Sequence, residues 1–452
     1  MRKRVAVIGS GVSGLSAAWA LSRTCEVTLY EAEARLGGHS DTFDWEGIGV
    51  DCGFIVYNER TYPNLTAMLA HLGVETSASD MSFAVSVDEG DFEYSGGTLR
   101  GLVAQAGNVL KPRYWSMIRD ILRFFREAPR DLALGELGTL SEYLDAHRYG
   151  QAFRNDYLYP MAAAVWSTPA MQVGEFPAAN FIRFNANHGL LNLVDRPVWR
   201  TVTDGSRHYV RRLAEAVAEV RTSAPVQSVR RVEGGVEVVE RDGASRRFDD
   251  AAIAAHADDA LMMLEAPTDA ERRTLGAFHY LDNSAVLHTD VRLMPKRRAL
   301  GAFTYLENRA VLHTDIRLMP RRRAAWSSWN YLASGRGADR RLTVSYWMNK
   351  LQPLPGRADV FLTLNPPWDL PPGAVLRRTS YRHPLFDAGA FAAQRDLWGL
   401  QGVGGVWFCG AYFGFGFHED GLQAGLAVAE AIGGGRRPWR VANESGRLAI
   451  PA

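Results

Sequence analysis

Three glycines near the start of the chain are spaced to bind the phosphates of a dinucleotide. Gly9, Gly11 and Gly14 follow the apolar segment 4–8 and precede a segment with helical spacing. In that order, the first glycine permits a tight turn, the second lets the backbone approach a pyrophosphate, and the third lets helix and strand pack closely. The amides at the helix N-terminus would then face the anion. We therefore predict a strand, turn and helix that bind a dinucleotide.

A second strand and a further glycine pair extend this motif. The segment EVTLYE (26–31) is typical of a strand and ends in Glu31, whose carboxylate can accept hydrogen bonds from a ribose diol. Arg35, Gly37 and Gly38 continue the run as ExxxRxGG. That combination resembles the extended fingerprint of FAD enzymes with the glutathione-reductase-type fold, in particular the superfamily of flavin amine oxidases, phytoene desaturases and protoporphyrinogen oxidases. The same run disfavours an NAD-linked dehydrogenase.

The resemblance implies roles for this first half of the cofactor site. The glycine pair would lie against the isoalloxazine ring, and Arg35 would support the phosphate region. His39, directly after the pair, would handle protons near the flavin or, equally well, cap a turn. The cofactor contacts expected here are those of Gly9, Gly11, Val12, Ser13, Gly14, Glu31, Ala32, Arg35, Gly37, Gly38 and His39.

Three later segments resemble the same superfamily in the same order. Asp204-Gly205-Ser206 resembles the loop before the returning strand of the cofactor domain, and Val226 would contact the adenine through its backbone. The segment 406–432 resembles the C-terminal flavin motif, in which a glycine-containing helix lies under the pyrophosphate and the flavin. The cofactor contacts expected here are those of Val226, Gly410, Ala411, Glu419, Asp420, Gly421 and Leu422.

The C-terminal motif departs from the superfamily at one position. Ala411 stands where an acidic residue usually binds the cofactor, and Glu419 or Asp420 would partly replace that residue. No cysteine occupies the setting that some amine oxidases use to tether the flavin, so we expect the FAD to be non-covalent. Cys409 is expected to be a small core residue.

The substrate side of the flavin is predicted from the same motif. A flavin accepts a hydride without a protein nucleophile, so the protein must orient the substrate and exclude water. The resemblance places Phe417 where amine oxidases have a tyrosine that walls the substrate cage, and the loss of the hydroxyl favours a less polar substrate. His418 and Tyr412 are the next candidates, and Lys350 would hold a water at the flavin N5. We expect no metal ligand among the catalytic residues.

The order of these motifs predicts an α/β fold with two interleaved units. The resemblance implies a glutathione-reductase-type, FAD-binding Rossmann domain formed by residues 1–75, 201–260 and 395–440. Residues 76–200 and 261–394 would form a discontinuous α+β substrate domain, and 441–452 a tail. The Gly-, Arg- and Pro-rich segment after Gly433 is expected to be loose. Within 236–256, a hairpin is expected around Asp242-Gly243.

Composition excludes several classes of protein. The 51 basic and 50 acidic residues give a net charge of +1, so we expect no nucleic-acid partner. Three scattered cysteines do not form a disulfide framework, which favours a reducing compartment. The start of the chain imitates a signal peptide, but its regularly spaced glycines argue against export. No apolar run reaches the ~18 residues of a membrane span. We expect a cytoplasmic protein.

The segment 111–132 could bring the protein to the inner membrane face. On a helix, Arg119, Arg123, Arg126 and Arg130 form one stripe. The apolar side would hold Tyr114, Trp115, Ile118, Ile121, Leu122 and Phe125. Such a helix could lie on a membrane and admit a lipid substrate, or it could cover a domain with its arginines in solvent.

The second half of the chain resembles one bacterial branch of the superfamily, FAD oxidoreductases associated with enzymes like fatty-acid cyclopropane synthase. This resemblance, through segments such as AWSSWNY and YRHPLF, implies a small-molecule or lipid substrate. The first hypothesis is an FAD-dependent desaturase, saturase or isomerase of an acyl or polyene chain. The alternative is a flavin amine oxidase producing an imine and hydrogen peroxide. A flavoprotein serving as a non-catalytic partner subunit is a third possibility.

Residues 275–299 and 300–324 form a tandem duplication in which 20 of 25 positions are identical. Each copy has a strand-like pattern that places His288 with Asp290, and His313 with Asp315, on one face. These pairs could be metal ligands, but an aspartate beside a histidine is also ordinary polar pairing. Because the branch carries this unit once, we interpret the segment as an insertion, with one copy in the branch's strand and the other in an added hairpin or edge.

Overall fold

The computed structural model describes residues 2–87, 90–135, 137–166, 173–192, 196–281, 309–334, 341–355, 358–364, 366 and 368–450. Within them the chain forms a mixed helix and sheet fold. The helices are α1 (Val12–Leu21), α2 (Pro63–His71), α3 (Leu99–Leu102), α4 (Pro112–Asp131), α5 (Leu140–Ala146), α6 (Gln151–Phe153), α7 (Tyr159–Trp166), α8 (Ala178–Asn187), α9 (Arg207–Ala214), α10 (Ala257–Met263), α11 (Asp269–Leu275), α12 (Met348–Leu351), α13 (Ala388–Ala393) and α14 (His418–Ile432). None of these described helices is both long and apolar enough to cross a membrane.

A five-stranded parallel sheet joins the two ends of the chain. Its strands, in spatial order, are Glu219–Arg221, Glu26–Tyr30, Arg4–Ile8, Asp250–Ile253 and Val406–Phe408. The central strands are buried apolar runs, as expected for a sheet covered on both faces. α1 and α14 pack closely against each other beside it. The sheet therefore brings the first glycine turn and the C-terminal motif to one place.

A seven-stranded sheet forms a second core. Its strands, in spatial order, are Val375–Ser380, Arg309–His313, Phe361–Leu364, Arg341–Trp347, Trp329–Ser334, Phe83–Val87 and Phe92–Ser95. The second copy of the duplication supplies the strand Arg309–His313, which pairs on both sides. His288 and Asp290 of the first copy lie outside the described residues.

The other described strands form smaller sheets. One antiparallel sheet holds Val226–Val232, Gly235–Glu240 and Ser245–Phe248. The predicted hairpin around Asp242 and Gly243 is thus confirmed. The remaining strands are Thr42–Trp45 paired with Ile48–Asp51, Trp199–Val202 between Tyr57–Asn58 and Thr76–Ala78, and His279–Leu281 paired with His383–Leu385.

His313 and Asp315 of the second copy have structural partners. The His313 imidazole is fully buried, and its Nε2 lies 2.7 Å from Thr363 Oγ1. The backbone N–H of Asp315 donates to His313 Nδ1 at 3.1 Å, while its carboxylate pairs with Arg317. Burial lowers the pKa of His313 to about 4, so the ring is neutral at neutral pH. These contacts join the strand end to the following turn.

Candidate functional site

The first glycine turn has the shape that the sequence predicts. Gly9 has a φ of +101°, where L side chains are strained, and its N–H donates to Tyr30 O at 2.8 Å. A Cβ on Gly14 would lie 1.8 Å from the Gly9 carbonyl oxygen, so only glycine allows α1 to pack this closely. A Cβ on Gly11 would meet no atom of the chain within 4 Å. The space in front of Gly11 can therefore receive a phosphate.

Glu31 lies beside this turn, directly after the strand Glu26–Tyr30. Its carboxylate accepts hydrogen bonds from the Ser10 N–H at 2.9 Å, the Ser10 hydroxyl at 2.5 Å and the Glu33 N–H at 2.9 Å. The acidic side chain is thus fixed at the edge of the glycine turn, where a ribose would follow the phosphates.

The second glycine pair lies against the first turn. Gly37 and Gly38 have φ values of +111° and +55°, and a Cβ on Gly38 would lie 3.1 Å from Gly11 Cα. The Gly37 N–H donates to the Ser10 carbonyl oxygen at 3.1 Å. Arg35 donates to the Gly38 carbonyl oxygen at 2.9 Å and is 37% exposed. The ExxxRxGG run therefore folds over the N-terminus of α1.

The C-terminal motif packs on the same helix. A Cβ on Gly425 would lie 2.1 Å from the Ser13 carbonyl oxygen, and one on Gly421 would lie 2.7 Å from Ser13 Oγ. The same added atom on Gly421 would be 3.6 Å from the Ala411 nitrogen. The two glycine motifs, about 400 positions apart, thus form one continuous surface.

Glu419 and Asp420 are both buried and bind protein groups. Asp420 accepts from the N–H groups of Phe415 at 3.0 Å and Phe417 at 2.7 Å, and Arg447 donates to it at 2.9 Å. Glu419 accepts from the backbone of α2 and from Gln423, and burial raises the pKa of its carboxyl. These contacts fix the start of α14, and the expected role toward the cofactor stays a prediction for both residues.

The expectation of a loose segment after Gly433 is wrong. The Arg437 side chain is fully buried and donates to Glu430, Asn64 and the Glu444 carbonyl oxygen. Arg447 reaches Asp420 and the carbonyl oxygen of Thr61. Buried arginines need such partners, and a composition rich in glycine and arginine does not reveal them.

His418 lies at the centre of a buried polar contact that the sequence does not reveal. Its Nε2 is 2.7 Å from the Tyr209 hydroxyl, which in turn is 2.6 Å from Ser40 Oγ. The ring of Phe54 stacks on the imidazole at 3.8 Å with an interplanar angle of 11°. Burial lowers the pKa of His418 to about 3, so the imidazole is neutral. Only the position of Tyr209, in the helix that follows the Asp-Gly-Ser loop, indicates this role.

Phe417 lies in a wall of aromatic side chains. It stacks on Phe184 of α8 at 4.8 Å between ring centroids, and His188 lies 5.5 Å away. A small cavity beside it is lined by six phenylalanines and one asparagine. These are Phe176, Asn180, Phe181, Phe184, Phe386, Phe391 and Phe415. No charged side chain is among these described lining residues.

His188 is a second residue that the sequence does not single out. It is 3% exposed, and its Nδ1 lies 2.9 Å from the Phe184 carbonyl oxygen. Because a carbonyl oxygen accepts, Nδ1 carries the proton and Nε2 is an acceptor. Nε2 has no hydrogen-bond partner among the described residues. Burial lowers the pKa of His188 to about 3, which keeps this acceptor uncharged.

The remaining predicted residues lie in several environments. Lys350 donates to Ser82 at 2.9 Å and lies 3.4 Å from Asp80, both beside the seven-stranded sheet. The structure thus places Lys350 with a sheet-side polar cluster, and its water-holding role stays a prediction. Tyr412 is buried against Phe278, and its hydroxyl has no partner within the described chain.

His39 is partly buried, its ring lies 5.1 Å from the Tyr381 ring, and desolvation lowers its pKa. Val226 begins a strand and pairs with Glu240. The other predicted positions lie where the motifs fold. Val12 and Ser13 open α1, Ala32 follows Glu31, Gly410 precedes the turn at Ala411, and Leu422 is buried in α14.

Comparisons with known proteins relate this chain to one family. The family model of flavin-containing amine oxidoreductases matches residues 12–433. Protoporphyrinogen oxidase 2, chloroplastic/mitochondrial, of Arabidopsis thaliana is 42% identical over 73 residues, which are 16% of this chain and 14% of that protein. The aligned part is thus a small fraction of that relative.

Two solved structures resemble the whole chain. Putrescine oxidase bound to putrescine has a TM-score of 0.66 at 15% identity, with 96% of this chain and 99% of that chain covered. The fatty acid isomerase of P. acnes that produces CLA has a TM-score of 0.63 at 13% identity, with 95% and 98% covered. At such identities the likeness concerns the fold alone.

Proposed function

The chain belongs to the family of flavin-containing amine oxidoreductases and is an FAD-dependent oxidoreductase, and from this premise we propose that its substrate is an acyl or polyene lipid chain. A desaturation would transfer a hydride from the apolar substrate to the flavin N5. A saturation would run in the opposite direction, from a flavin reduced by an external electron donor, and an isomerisation would leave the flavin in its starting oxidation state. The observation that carries this proposal is the apolar wall that Phe417 and Phe184 form at the start of α14; the cavity beside it, lined by six phenylalanines, is only about 10 Å³ and does not itself hold a chain. Such a wall favours an apolar chain because burying an unpaired charge there is costly.

The cofactor site is proposed to be a glutathione-reductase-type Rossmann domain built on the five-stranded parallel sheet. The open space before Gly11 would receive the pyrophosphate, and Glu31 would bind the ribose. Gly38 and the start of α14 would face the isoalloxazine ring. We propose that FAD binds there without a covalent bond, since Cys409 is fully buried directly after the strand Val406–Phe408. When bound, the flavin supplies the hydride acceptor.

The boundaries of the two units are also part of the proposal. Residues 1–75, 201–260 and 395–440 would form the cofactor domain, and 76–200 with 261–394 the substrate domain. The first set contains every strand of the parallel sheet, and the second contains every described strand of the seven-stranded sheet. That separation of the two sheets supports the division.

The residues of the chain would position the substrate and exclude water. The phenylalanines present a dry surface, against which a hydrocarbon loses contact with water. His188 Nε2 offers one hydrogen-bond acceptor in this wall. Its low pKa makes it a poor base, so we assign it to binding a donor group of the substrate rather than to removing a proton from carbon.

Amine oxidation is the second candidate. Aromatic faces such as those of Phe417 and Phe184 attract cations, so an alkylammonium group could also be received. The product of this reaction would be an imine, with hydrogen peroxide formed when oxygen reoxidises the flavin.

Flavin bleaching separates these candidates. The purified holoenzyme, identified by its visible flavin bands, is mixed without oxygen with fatty acids, acyl lipids or polyenes, and separately with mono- and diamines. We expect bleaching, or double-bond change in the recovered lipid, with the first set only. Peroxide released in air from amines alone would support the second candidate. Absence of flavin bands after reconstitution with FAD would defeat both.

A further inference from the structure

Exposed large apolar side chains concentrate in one segment of the chain. Within the described residues, six of the twelve large apolar side chains that are exposed lie between positions 99 and 122. They are Leu99 (83% exposed), Val103 (49%), Val109 (37%), Leu110 (84%), Trp115 (56%) and Leu122 (47%). We call these six side chains the α3–α4 surface. A patch of this kind on a monomer marks an interaction site.

Local hydrogen bonds hold the α3–α4 surface together. The Tyr114 hydroxyl donates to the Leu102 carbonyl oxygen at 3.1 Å, which ties α4 to α3. The Trp115 indole N–H donates to the Val109 carbonyl oxygen at 2.8 Å, so the polar atom is satisfied while most of the ring faces outward. The surface is therefore a fixed feature of the fold.

The other side of α4 belongs to the protein core. Met117, Phe124 and Ala128 have no exposed surface, and Tyr114 and Phe125 are also buried. Of the two alternatives that the sequence leaves open, the burial of Tyr114 and Phe125 fits a helix that covers a domain. Trp115 and Leu122, seven positions apart, share the outward face.

Basic side chains are interleaved with this apolar face. Arg119 lies between Trp115 and Leu122 in the sequence, and Arg126 follows Leu122. The side chains of Arg119 and Arg126 are 71% and 64% exposed. Residues 96–130 contain seven basic and two acidic residues, whereas the whole chain has a net charge of +1. Arg119 and Arg126 each pair with an acidic neighbour, Asp120 at 3.3 Å and Glu127 at 2.9 Å, but the basic residues of this segment still outnumber the acidic ones.

We propose that the α3–α4 surface docks on an anionic lipid bilayer. Tryptophan prefers the boundary between headgroups and acyl chains, leucines enter the acyl region, and arginines reach anionic headgroups. A second copy of the chain is a poorer occupant, since a two-fold contact would bring two copies of the same predominantly basic segment together. The proposal stands on exposure and charge and does not depend on the proposed reaction.

The docking surface lies close to the aromatic cavity. α4 packs against α8, whose Phe181 and Phe184 line that cavity. Packed helix axes are ~8–10 Å apart, so one helix separates the bilayer from the aromatic wall.

The test is flotation of the holoenzyme with vesicles. Vesicles of phosphatidylcholine alone are compared with vesicles that also contain phosphatidylglycerol. We expect binding to the anionic vesicles that weakens as salt is raised. Trp115→Ala and Leu110→Ser should each lower the partition coefficient about tenfold, as expected when a large apolar side chain no longer leaves water. Arg100→Gln with Arg126→Gln should remove most of the preference for anionic vesicles.

Matched variants provide the controls. Trp368 and Met262 are exposed to 45% and 71% but lie outside the α3–α4 surface, so Trp368→Ala and Met262→Ser should leave partition within about twofold. Thermal unfolding verifies that each variant is folded. Equal losses in Trp115→Ala and Trp368→Ala, or no flotation of the wild-type protein with anionic vesicles, would overturn the proposal. A dimer that forms without lipid and that Trp115→Ala dissociates would also overturn the proposal, because the surface would then bind a second copy. None of these readouts uses flavin reduction or turnover, so a failed reaction assay leaves them unaffected.

Discussion

Gly11 separates cofactor binding from folding more cleanly than any other position in the glycine turn. Its backbone is extended, with φ −62° and ψ 178°, and an added Cβ would meet no atom of the chain within 4 Å. Alanine therefore fits the protein alone. The change at a helix N-cap costs roughly 1 kcal/mol, and the lower entropy of the unfolded chain offsets about 0.4–1 kcal/mol of this. We expect the free energy of unfolding of the apoprotein to change by less than about 1 kcal/mol in Gly11→Ala.

FAD binding should respond very differently. The methyl group would occupy the space in which a phosphate approaches the amides of α1. Loss of one hydrogen bond to a charged group costs about 1.5–3 kcal/mol, which corresponds to a rise of the FAD dissociation constant by roughly 10- to 150-fold. The assay is titration of apoprotein with FAD, followed by flavin fluorescence, together with denaturant unfolding of the apoprotein.

Substitutions at two other glycines serve as controls for Gly11→Ala. Gly399 is equally open and has no positive φ. Gly399→Ala should therefore leave the free energy of unfolding of the apoprotein nearly unchanged and change the FAD dissociation constant by no more than about twofold. Gly14→Ala would place a Cβ 1.8 Å from a backbone oxygen and should damage folding as well as binding. If Gly11→Ala binds FAD as the wild type does, the glycine turn does not hold the pyrophosphate and the reasoning fails.

Three further predictions concern the other half of the site. Arg447→Ala leaves the buried carboxylate of Asp420 without its charged partner and should destabilise the protein by about 3–5 kcal/mol in denaturant unfolding. As a control, Arg436→Ala removes an exposed arginine and should cost less than about 1 kcal/mol. Equal costs in the two variants would contradict the burial argument. Burial depresses the pKa of His188 to about 3, so its stabilising contribution is complete above the unfolded pKa of about 6.5 and is lost as pH falls toward 3. At pH 5 the loss is about 2 kcal/mol, and in His188→Phe the free energy of unfolding should fall by that much less between pH 7 and pH 5. An unchanged pH profile in this variant would show that the ring is solvated. Phe417→Tyr adds a hydroxyl to the apolar wall and should raise KM for a lipid substrate by roughly 10-fold. Phe408, which is buried in its strand, provides the folding control Phe408→Tyr. A lower KM for the lipid in Phe417→Tyr would argue against an apolar substrate.

Local patterns explain which parts of the fold could be predicted. The turn at Gly9 to Gly14, the hairpin around Asp242 and Gly243, and the helix Pro112–Asp131 each depend on residue types within about 20 positions. Spacing within such a segment specifies backbone geometry, so the sequence alone is informative. The sequence left open whether the apolar side of α4 faces the core or a membrane, since helical periodicity defines faces but not the partner of each face.

Contacts between distant residues could not be predicted in the same way. The stacking of Phe54 on His418, the hydrogen bond of Tyr209 to His418 and the pair of Arg447 with Asp420 join elements far apart in the chain. No local spacing encodes such pairs, because their distance is set by the packing of α1, α9 and α14 around the parallel sheet. The open acceptor of His188 was missed for the same reason.

The parallel sheet has a consequence for how the protein folds. Its central strand, Arg4–Ile8, pairs with Asp250–Ile253, which pairs in turn with Val406–Phe408. During synthesis the first strand must therefore wait for about 240 residues to leave the ribosome before it gains its second neighbour. The face on which α1 meets α14 stays open until residue 432 has emerged. Sheets closed by such distant segments form slowly and expose apolar edges in the meantime. A chaperone that covers the N-terminal strand and helix during translation would raise the yield of folded protein more than one acting on the completed chain.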